Sequence, residues 1–417
     1  MSLTSLVFRA HPTSRYSVAA LLGAIQSDSR LSELILKAPL RNFESVVRNH
    51  FKAGRTAAAF SVMSTHQARV QEEVRRLREI CGEDLILIAG GPHASARPKD
   101  LLDCGFDYVI IGEGEQSLND LLVKLMNDAD PERVQGVVSK RTTEYPLPRS
   151  LPRILLDDYP PFALDMNVVG PVEVTRGCPY ACKFCSTPFL TGGRVRHRST
   201  KTVVHWLKRA VEERGFMRTW FLSPNALCYG GKGRTLEVEK LEGLLSASTA
   251  IEGLEEVFFG SFPSEVRPDF VTKTVLEMIR QYVANDSLQI GMQAGSDHVL
   301  ELSNRGHSVE EGMNAVRLAL DSGFIPHVDM IFGLPGERDS DLRASLDLCH
   351  SLDEMGASVH GHVFMPLPGS AFENMPAGVL NQETRKELGE MSRRGVLTGS
   401  WSNQEKLARD LESKQER

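Results

Sequence analysis

Cys178-Pro179-Tyr180-Ala181-Cys182-Lys183-Phe184-Cys185 packs three of the chain's seven cysteines into eight residues. Three thiolates on one short loop can hold a metal ion or cluster and leave one coordination position open. An open position is where chemistry happens rather than where structure is stapled. The triplet follows the strand-like run Val172-Glu173-Val174-Thr175 and then Arg176-Gly177, so the loop is expected at the end of a β-strand. A zinc site using Cys178, Cys182, Cys185 and His197 is the blunt alternative for the same residues.

On both sides of this loop, short apolar runs alternate with amphipathic ones. Before it, residues 3–8, 56–63, 84–89 and 108–111 read as strands, and 17–26 and 68–80 carry helical spacing. Such alternation predicts a doubly wound parallel sheet over residues 1–140, with ligands beyond the carboxyl ends of its strands. Five prolines with no clear periodicity make 141–170 a linker in composition. From 171 to 375 the alternation resumes, with strands at 172–175, 218–222, 257–261, 288–293, 325–332 and 357–365. Six parallel strands with intervening helices imply a partial (β/α)6 barrel. The charged segment 376–417 is helical in pattern and offers no chemistry of its own. The fold class is therefore α/β, a Rossmann-like domain followed by a partial barrel and a short helical C-terminus.

The triplet, with an aromatic just before its last cysteine, resembles the signature of the radical S-adenosylmethionine (SAM) enzymes. Gly291-Met-Gln-Ala-Gly-Ser-Asp297 with Asn304-Arg305-Gly306-His307, then Ile331-Phe-Gly-Leu-Pro-Gly-Glu337 and Pro366-Leu-Pro-Gly-Ser370, resemble that family's later strands in the same order. The resemblance implies a 4Fe–4S cluster ligated by Cys178, Cys182 and Cys185. Its fourth iron would chelate the amino and carboxylate groups of SAM, and electron transfer would cleave a C–S bond to give a 5′-deoxyadenosyl radical. Phe184 is implied near the adenine. Where the family often carries Gly-Gly-Glu for the SAM amine, this chain has Ser223-Pro224-Asn225, which assigns Ser223 and Asn225 as neutral acceptors there.

Strand parity adds a chamber. Gln289, Gly291 and Gln293 share one face of their strand, His327 and Asp329 one face of the next, and His360 and His362 one face of the last. The opposite faces are apolar and suit packing under helices, which places the polar rows in the barrel lumen. Arg305, His327, Asp329, His360 and His362 are the expected catalytic set, with Ser261 and Gln293 on the cofactor. The bland alternative for any one of these histidines is a hydrogen-bonded core residue.

Gly90-Gly91-Pro92-His93 and Gly112-Glu113-Gly114-Glu115 follow consecutive strands and resemble the cobalamin-binding domain that precedes the barrel in one large radical SAM subclass. Glycines let a backbone approach a bulky flat ligand, and Ser64 and Thr65 are expected to hydrogen-bond the cobalamin. A Rossmann-like domain without a ligand is the alternative. The Asp-x-His-x-x-Gly motif of other cobalamin enzymes is absent; the chain reads Arg9-Ala10-His11-Pro12-Thr13-Ser14, so the lower cobalt face is expected to lack a histidine ligand, with His11 as the minor alternative. Methylthiotransferases also place such a domain before a radical SAM barrel, but they use three N-terminal cysteines for a second cluster. Here only Cys81 and Cys104 precede the barrel, and that reading is set aside.

The resemblance as a whole implies a cobalamin-dependent radical SAM C-methyltransferase acting on an unactivated sp3 carbon. Compact length and a short C-terminus are similar to the archaeal members that modify a glutamine of methyl-coenzyme M reductase. The implied partners are a peptide of its alpha subunit, or else a small molecule, and a reducing donor such as a ferredoxin. Methylation of a natural-product or lipid precursor, a cobalamin-assisted rearrangement or cyclisation, and a zinc- or cluster-stabilised binding protein are the alternatives. A net charge of −6 without a long basic run gives no reason to expect nucleic acid. No apolar stretch reaches the roughly 18 residues of a membrane span, and the scattered Cys81, Cys104, Cys228 and Cys349 suggest no disulfide framework. The expectation is a soluble, cytoplasmic protein.

Overall fold

The computed structural model describes residues 2–415. The chain forms two compact units, Met1–Val172 with Phe189–Gly192, and Glu173–Pro188 with Gly193–Arg417.

In the first unit, β1 (Ser5–Phe8), β2 (Ile35–Lys37), β3 (Thr56–Ser61), β4 (Ile86–Gly90), β5 (Tyr108–Ile110) and β6 (Val137–Ser139) form one sheet in the order β2-β1-β3-β4-β5-β6. All neighbours pair in parallel except β5 with antiparallel β6. The central strands are apolar without alternation because both sheet faces are covered. Leu6, Phe8, Ala57, Ala59 and Ile88 pack on one side against Val18, Leu22 and Leu121; Val7, Ala58, Phe60 and Leu87 pack on the other against Val47, Val74 and Leu77. Four elements of the sheet and two of its helices are legible in the sequence. The three-residue edge strands β2 and β6 are too short to show a period, and the helix Phe43–Ala53 also escapes the sequence reading.

Residues 141–170 differ from the linker expectation. Their regular structure is two 3-10 turns, Pro148–Ser150 and Leu156–Asp158, yet Phe162, Ala163 and Leu164 are buried in this unit. The helix Arg15–Gln26 receives them through Gly23, where a side chain would stand 2.6 Å from the Phe162 carbonyl oxygen. Proline spacing marks the absence of regular elements; it does not say whether the apolar residues between prolines find a core.

In the second unit, β7 (Val172–Glu173) joins β10 (Arg218–Leu222) and β11 (Glu256–Phe258), and the two-residue strands β8 (Thr175–Arg176) and β9 (Arg196–His197) pair antiparallel at the base of the cysteine loop. Next come β12 (Ser287–Gln293), β13 (Ile325–Phe332), β14 (Ser358–Val363) and β15 (Leu397–Thr398), paired in parallel in that order. A parallel bridge between Val266 and Ile290 stitches the two sets together, with Val266 N–H donating to Gln289 at 2.8 Å. The result is an open barrel of parallel strands. Leu288, Ile290 and Met292 are fully buried on the helix side, where Gly312 of the helix Val309–Asp321 leaves room for the Met292 sulfur. That packing fixes the lumen as the face of Gln289, Gly291 and Asp329. The segment 376–417 supplies β15 as well as the helices Gln382–Arg393 and Trp401–Gln415.

Candidate active site

The cysteine loop is built by backbone constraint before any ligand is considered. Gly177 takes φ of 95° immediately before Cys178, and a Cβ there would overlap the Arg194 carbonyl oxygen. Gly177→Ala is therefore expected to cost at least about 1–2 kcal/mol from the left-handed backbone alone, and to reduce sharply the iron retained after anaerobic reconstitution, read by elemental analysis. Beyond Gly177 the loop is held at several points. Lys183 N–H donates to the Ser303 carbonyl at 2.9 Å, the Asn304 side chain donates to Ala181 at 3.0 Å, and Phe372 N–H donates to the Lys183 carbonyl at 2.9 Å. The Asn304-Arg305 pair thus serves as the clasp of the cysteine loop.

Arg305 is buried and engaged on every side. Its Nη1 lies 3.7 Å from the Cys182 sulfur, Nη2 donates to the Glu265 carboxylate at 3.0 Å and to the Gly291 carbonyl at 2.7 Å, and Nε reaches His307 at 3.2 Å. Gly291 is glycine for a reason of space, because a Cβ there would overlap both Glu265 Oε1 and Arg305 Nη2. Burial pushes the Glu265 carboxyl up, against the opposing pull of Arg305. Burial also raises the Cys178 and Cys185 thiols, so both are protonated when free and metal uptake must displace their protons.

All three cysteines line one cavity of about 420 Å³ together with Phe184, Ser223, Glu265, Arg267, Gln293, Arg305, Asp329, His362 and Gln404. Gln293 sits at φ 80° beside a register shift in β12, so the bulge turns its side chain relative to the strand before it. Asp329 Oδ1 accepts from Gln289 Nε2 at 2.6 Å and faces His360 Nδ1 at 3.2 Å and His362 Nε2 at 3.5 Å. Burial alone would raise its pKa; the hydrogen bonds from His360, His362 and Gln289 outweigh it and bring the carboxyl down to about 2. His362 is oriented in turn by Gln404 at 3.1 Å, whose oxygen accepts the Val363 N–H.

Four of the expected lumen or cofactor residues stand off the cavity wall. His360 and His327 are not part of it, and His360 is paired to Asp329. Asn225 is buried with its oxygen on the Arg267 N–H, so in place of Ser223 and Asn225 together only Ser223 is on the wall. Ser261 is displaced by Glu265 and Arg267, which follow it on the same connection. Sequence reasoning missed Glu265, Arg267 and Gln404. The first two follow a strand ending that carries no recognised motif, and Gln404 lies in a segment read as merely helical. The zinc alternative loses its fourth ligand: His197 engages Thr175 through Nδ1 at 2.9 Å and the Gly231 carbonyl through Nε2 at 2.7 Å.

In the first unit the glycine loops converge on the carboxyl edge of the sheet. Ser64 Oγ meets His93 Nδ1 at 3.0 Å, His93 N–H donates to Val62 at 3.0 Å, and Gly112 N–H donates to Ser95 Oγ at 2.9 Å. Thr65 follows Ser64 in the turn Ser64–His66, Pro92 opens the short helix Pro92–Ala96, and Gly114 opens the helix Gly114–Met126. Gly91 takes φ of 96° and packs against Ser61 and Val62, whereas a side chain at Gly90 would meet only Ile110, at 3.9 Å. Glu113 turns inward to accept the Ile154 N–H at 3.0 Å, and Glu115 is buried. The edge between these loops offers backbone and hydroxyl groups to a flat ligand, which suits a corrinoid. His11 has both ring nitrogens engaged, Nδ1 with Thr13 and Nε2 with Arg69, each at 2.9 Å.

Comparison with known proteins bears on both units. Residues 172–349 match the Radical SAM superfamily and residues 3–122 match the B12 binding domain. This chain carries a B12-binding domain followed by a radical SAM domain. Its cofactors are accordingly a 4Fe–4S cluster, SAM and cobalamin. Solved structures with the same fold include the radical SAM methyltransferase TsrM from Kitasatospora setae with cobalamin and a 4Fe–4S cluster bound. It has a TM-score of 0.67 and 15% identity, covering 90% of this chain and 78% of that one. The cobalamin-dependent enzyme OxsB gives a TM-score of 0.70 at 15% identity, with all of this chain matched to 61% of that one. Among curated relatives, an uncharacterised protein of Methanopyrus kandleri is 27% identical over 360 residues, 73% of this chain and 66% of its own length. A tRNA-2-methylthio-N(6)-dimethylallyladenosine synthase of Magnetococcus marinus is 28% identical over 322 residues, 76% of this chain and 68% of its own length. The chain thus spans about two thirds of these two relatives. No described helix is long and apolar enough to cross a membrane.

Proposed function

We propose that the protein is a cobalamin-dependent radical SAM methyltransferase that places a methyl group on an unactivated sp3 carbon. The observation that carries this reading is the presence, in one chain, of a B12-binding domain and a barrel cavity whose wall holds three cysteines together with Asp329 and His362. When bound, the cluster supplies the electron that cleaves SAM, and the corrinoid supplies a methyl carrier. Among the residues, Cys178, Cys182 and Cys185 would hold the cluster, with Arg305 set against Cys182. Phe184, Ser223, Glu265 and Gln293 would surround SAM. Asp329, kept ionised by Gln289, His360 and His362, would hold a hydrogen-bond donor of the bound molecules. Ser64, Thr65, His93 and the backbone of Gly90, Gly91, Pro92, Gly112 and Gly114 would cradle the corrinoid. A reductant of low potential, such as a ferredoxin, completes the system.

The substrate we propose is a peptide carrying glutamine, from the alpha subunit of methyl-coenzyme M reductase; a small-molecule or lipid precursor, or a ring closure, is the competing outcome. The names of several relatives favour one further reading, transfer of a methylthio group to tRNA. It needs thiolates before the barrel for a second cluster, and here Cys81 is buried at a helix end while burial pushes Cys104 up to about 11. Protein incubated with cobalamin is expected to keep a corrinoid absorption spectrum through desalting, and the cob(II)alamin form should show no splitting from a histidine nitrogen by electron paramagnetic resonance. Loss of the spectrum on desalting would return the first unit to a ligand-free Rossmann-like domain.

A further inference from the structure

Two buried guanidinium groups flank the cysteine loop, and the methyl-transfer reading gives neither a role in electron transfer. Arg305 Nη1 is 3.7 Å from the Cys182 sulfur, with the rest of the group pinned by Glu265, Gly291 and His307. Arg267 is 2% exposed, and its guanidinium carbon stands 3.5 Å from the centre of the Tyr180 ring, between Cys178 and Cys182 in sequence. Its Nε donates to Asp269 at 2.9 Å and its Nη2 to the Arg305 carbonyl at 2.9 Å. The remaining nitrogen, Nη1, is buried and has no hydrogen-bond partner. Arg267 and Arg305 both line the cavity that holds the three cysteines.

Neither charge is free to move. Each is held by side chains and carbonyls within the barrel, so neither can swing away or be replaced by a mobile ion. Arg305 lies well inside the screening length of about 8 Å at physiological salt, and the charge of Arg267 acts on the Cys178 thiol to lower it. Two carboxylates offset them in part: Asp269 pairs with Arg267 at 2.9 Å, and Glu265 pairs with Arg305 while burial pushes its carboxyl up. A 4Fe–4S core held by three thiolates goes from a net charge of −1 to −2 when one electron is added and the core passes from 2+ to 1+. A fixed positive charge next to the sulfurs stabilises the second state more than the first.

We propose that Arg267 and Arg305 form a cationic pair that raises the reduction potential of the cluster on Cys178, Cys182 and Cys185, bringing it within reach of a low-potential one-electron donor. The inference rests on the cluster assignment, so iron and labile sulfide in the reconstituted wild type are measured first. A wild type that takes up neither overturns both the assignment and the inference.

The test is an anaerobic redox titration of the cobalamin-free, cluster-loaded protein, monitored by the electron paramagnetic resonance signal of the reduced cluster. Wild type is compared with Arg305→Lys, Arg305→Gln, Arg267→Lys and Arg267→Gln. The lysine variants keep the charge and are expected to stay near the wild-type midpoint. The glutamine variants are expected to move to more negative potential. A merely structural role would change the amount of cluster while leaving the midpoints of each Lys and Gln pair equal, and equal midpoints overturn the proposal. Should Arg305→Gln retain no cluster, the Arg267 pair decides by the same criterion.

Discussion

Cys182→Ala is expected to abolish 5′-deoxyadenosine formation. Cys182 is 6% exposed, the most buried cysteine of the loop, and its sulfur is the one that faces Arg305. Alanine leaves two thiolates, too few to hold three irons of a 4Fe–4S cluster. It also takes away the sulfur that Arg305 faces, leaving its ion pair with Glu265. The effect should exceed that of substitutions elsewhere on the cavity wall, because those weaken contacts whereas this one removes the electron source. Iron content, labile sulfide and the chromatographic yield of 5′-deoxyadenosine should fall together. Undiminished 5′-deoxyadenosine from this variant would remove the loop from the chemistry.

Asp329→Asn is expected to lower both stability and turnover. One carboxylate oxygen receives Gln289 and faces two imidazoles, and the side chain is only 10% exposed. Asparagine presents either an uncharged oxygen or an amide N–H to those three donors. Hydrogen bonds to a buried charge are each worth roughly 1.5–3 kcal/mol, so a loss of about 2–3 kcal/mol in the urea unfolding free energy is the expected size. The pH dependence follows from the lowered pKa. The folded carboxyl titrates near 2, below the unfolded value, so its contribution is present above about pH 4 and disappears as pH falls through about 2. Wild type and Asp329→Asn should therefore differ at neutral pH and converge in acid. A constant difference down to the acid limit would show that the charge of Asp329 has no part in holding His360 and His362.

Much of the molecule is readable before any coordinates are known. Parallel strands buried on both faces, such as β3 with its Ala-Ala-Ala-Phe run, announce themselves as apolar stretches between polar ones. Strand parity places Gln289, Asp329 and His362 on one face because alternation is a property of the backbone. What escapes is whatever depends on three-dimensional approach. Glu265 and Arg267 reach the cavity because the Val266 bridge to Ile290 draws their connection against β12. Gln404 arrives from a helix whose sequence is dominated by charge, and its role rests on β15 pairing with β14. Asn225 and Ser261 fail for the opposite reason: they are polar and close in sequence to the site, but the Asn225 oxygen is taken by the Arg267 N–H, and Ser261 sits in a turn that its carbonyl closes with the Ser264 N–H. The proline-rich segment 141–170 shows the same limit, since Phe162 and Leu164 become core residues only once the first unit exists to receive them.

The most direct test of methyl transfer by SAM cleavage and cobalamin together is mass spectrometry of the SAM products and the substrate from one anaerobic reaction. The reaction contains the cluster- and cobalamin-loaded protein, a low-potential reductant and a glutamine-containing peptide of the methyl-coenzyme M reductase alpha subunit, with small-molecule precursors run in parallel. S-adenosylhomocysteine and 5′-deoxyadenosine are expected together, with a product heavier by one CH2. A product heavier by CH2S, or 5′-deoxyadenosine without S-adenosylhomocysteine alongside a product of unchanged carbon count, would contradict methyl transfer by this route.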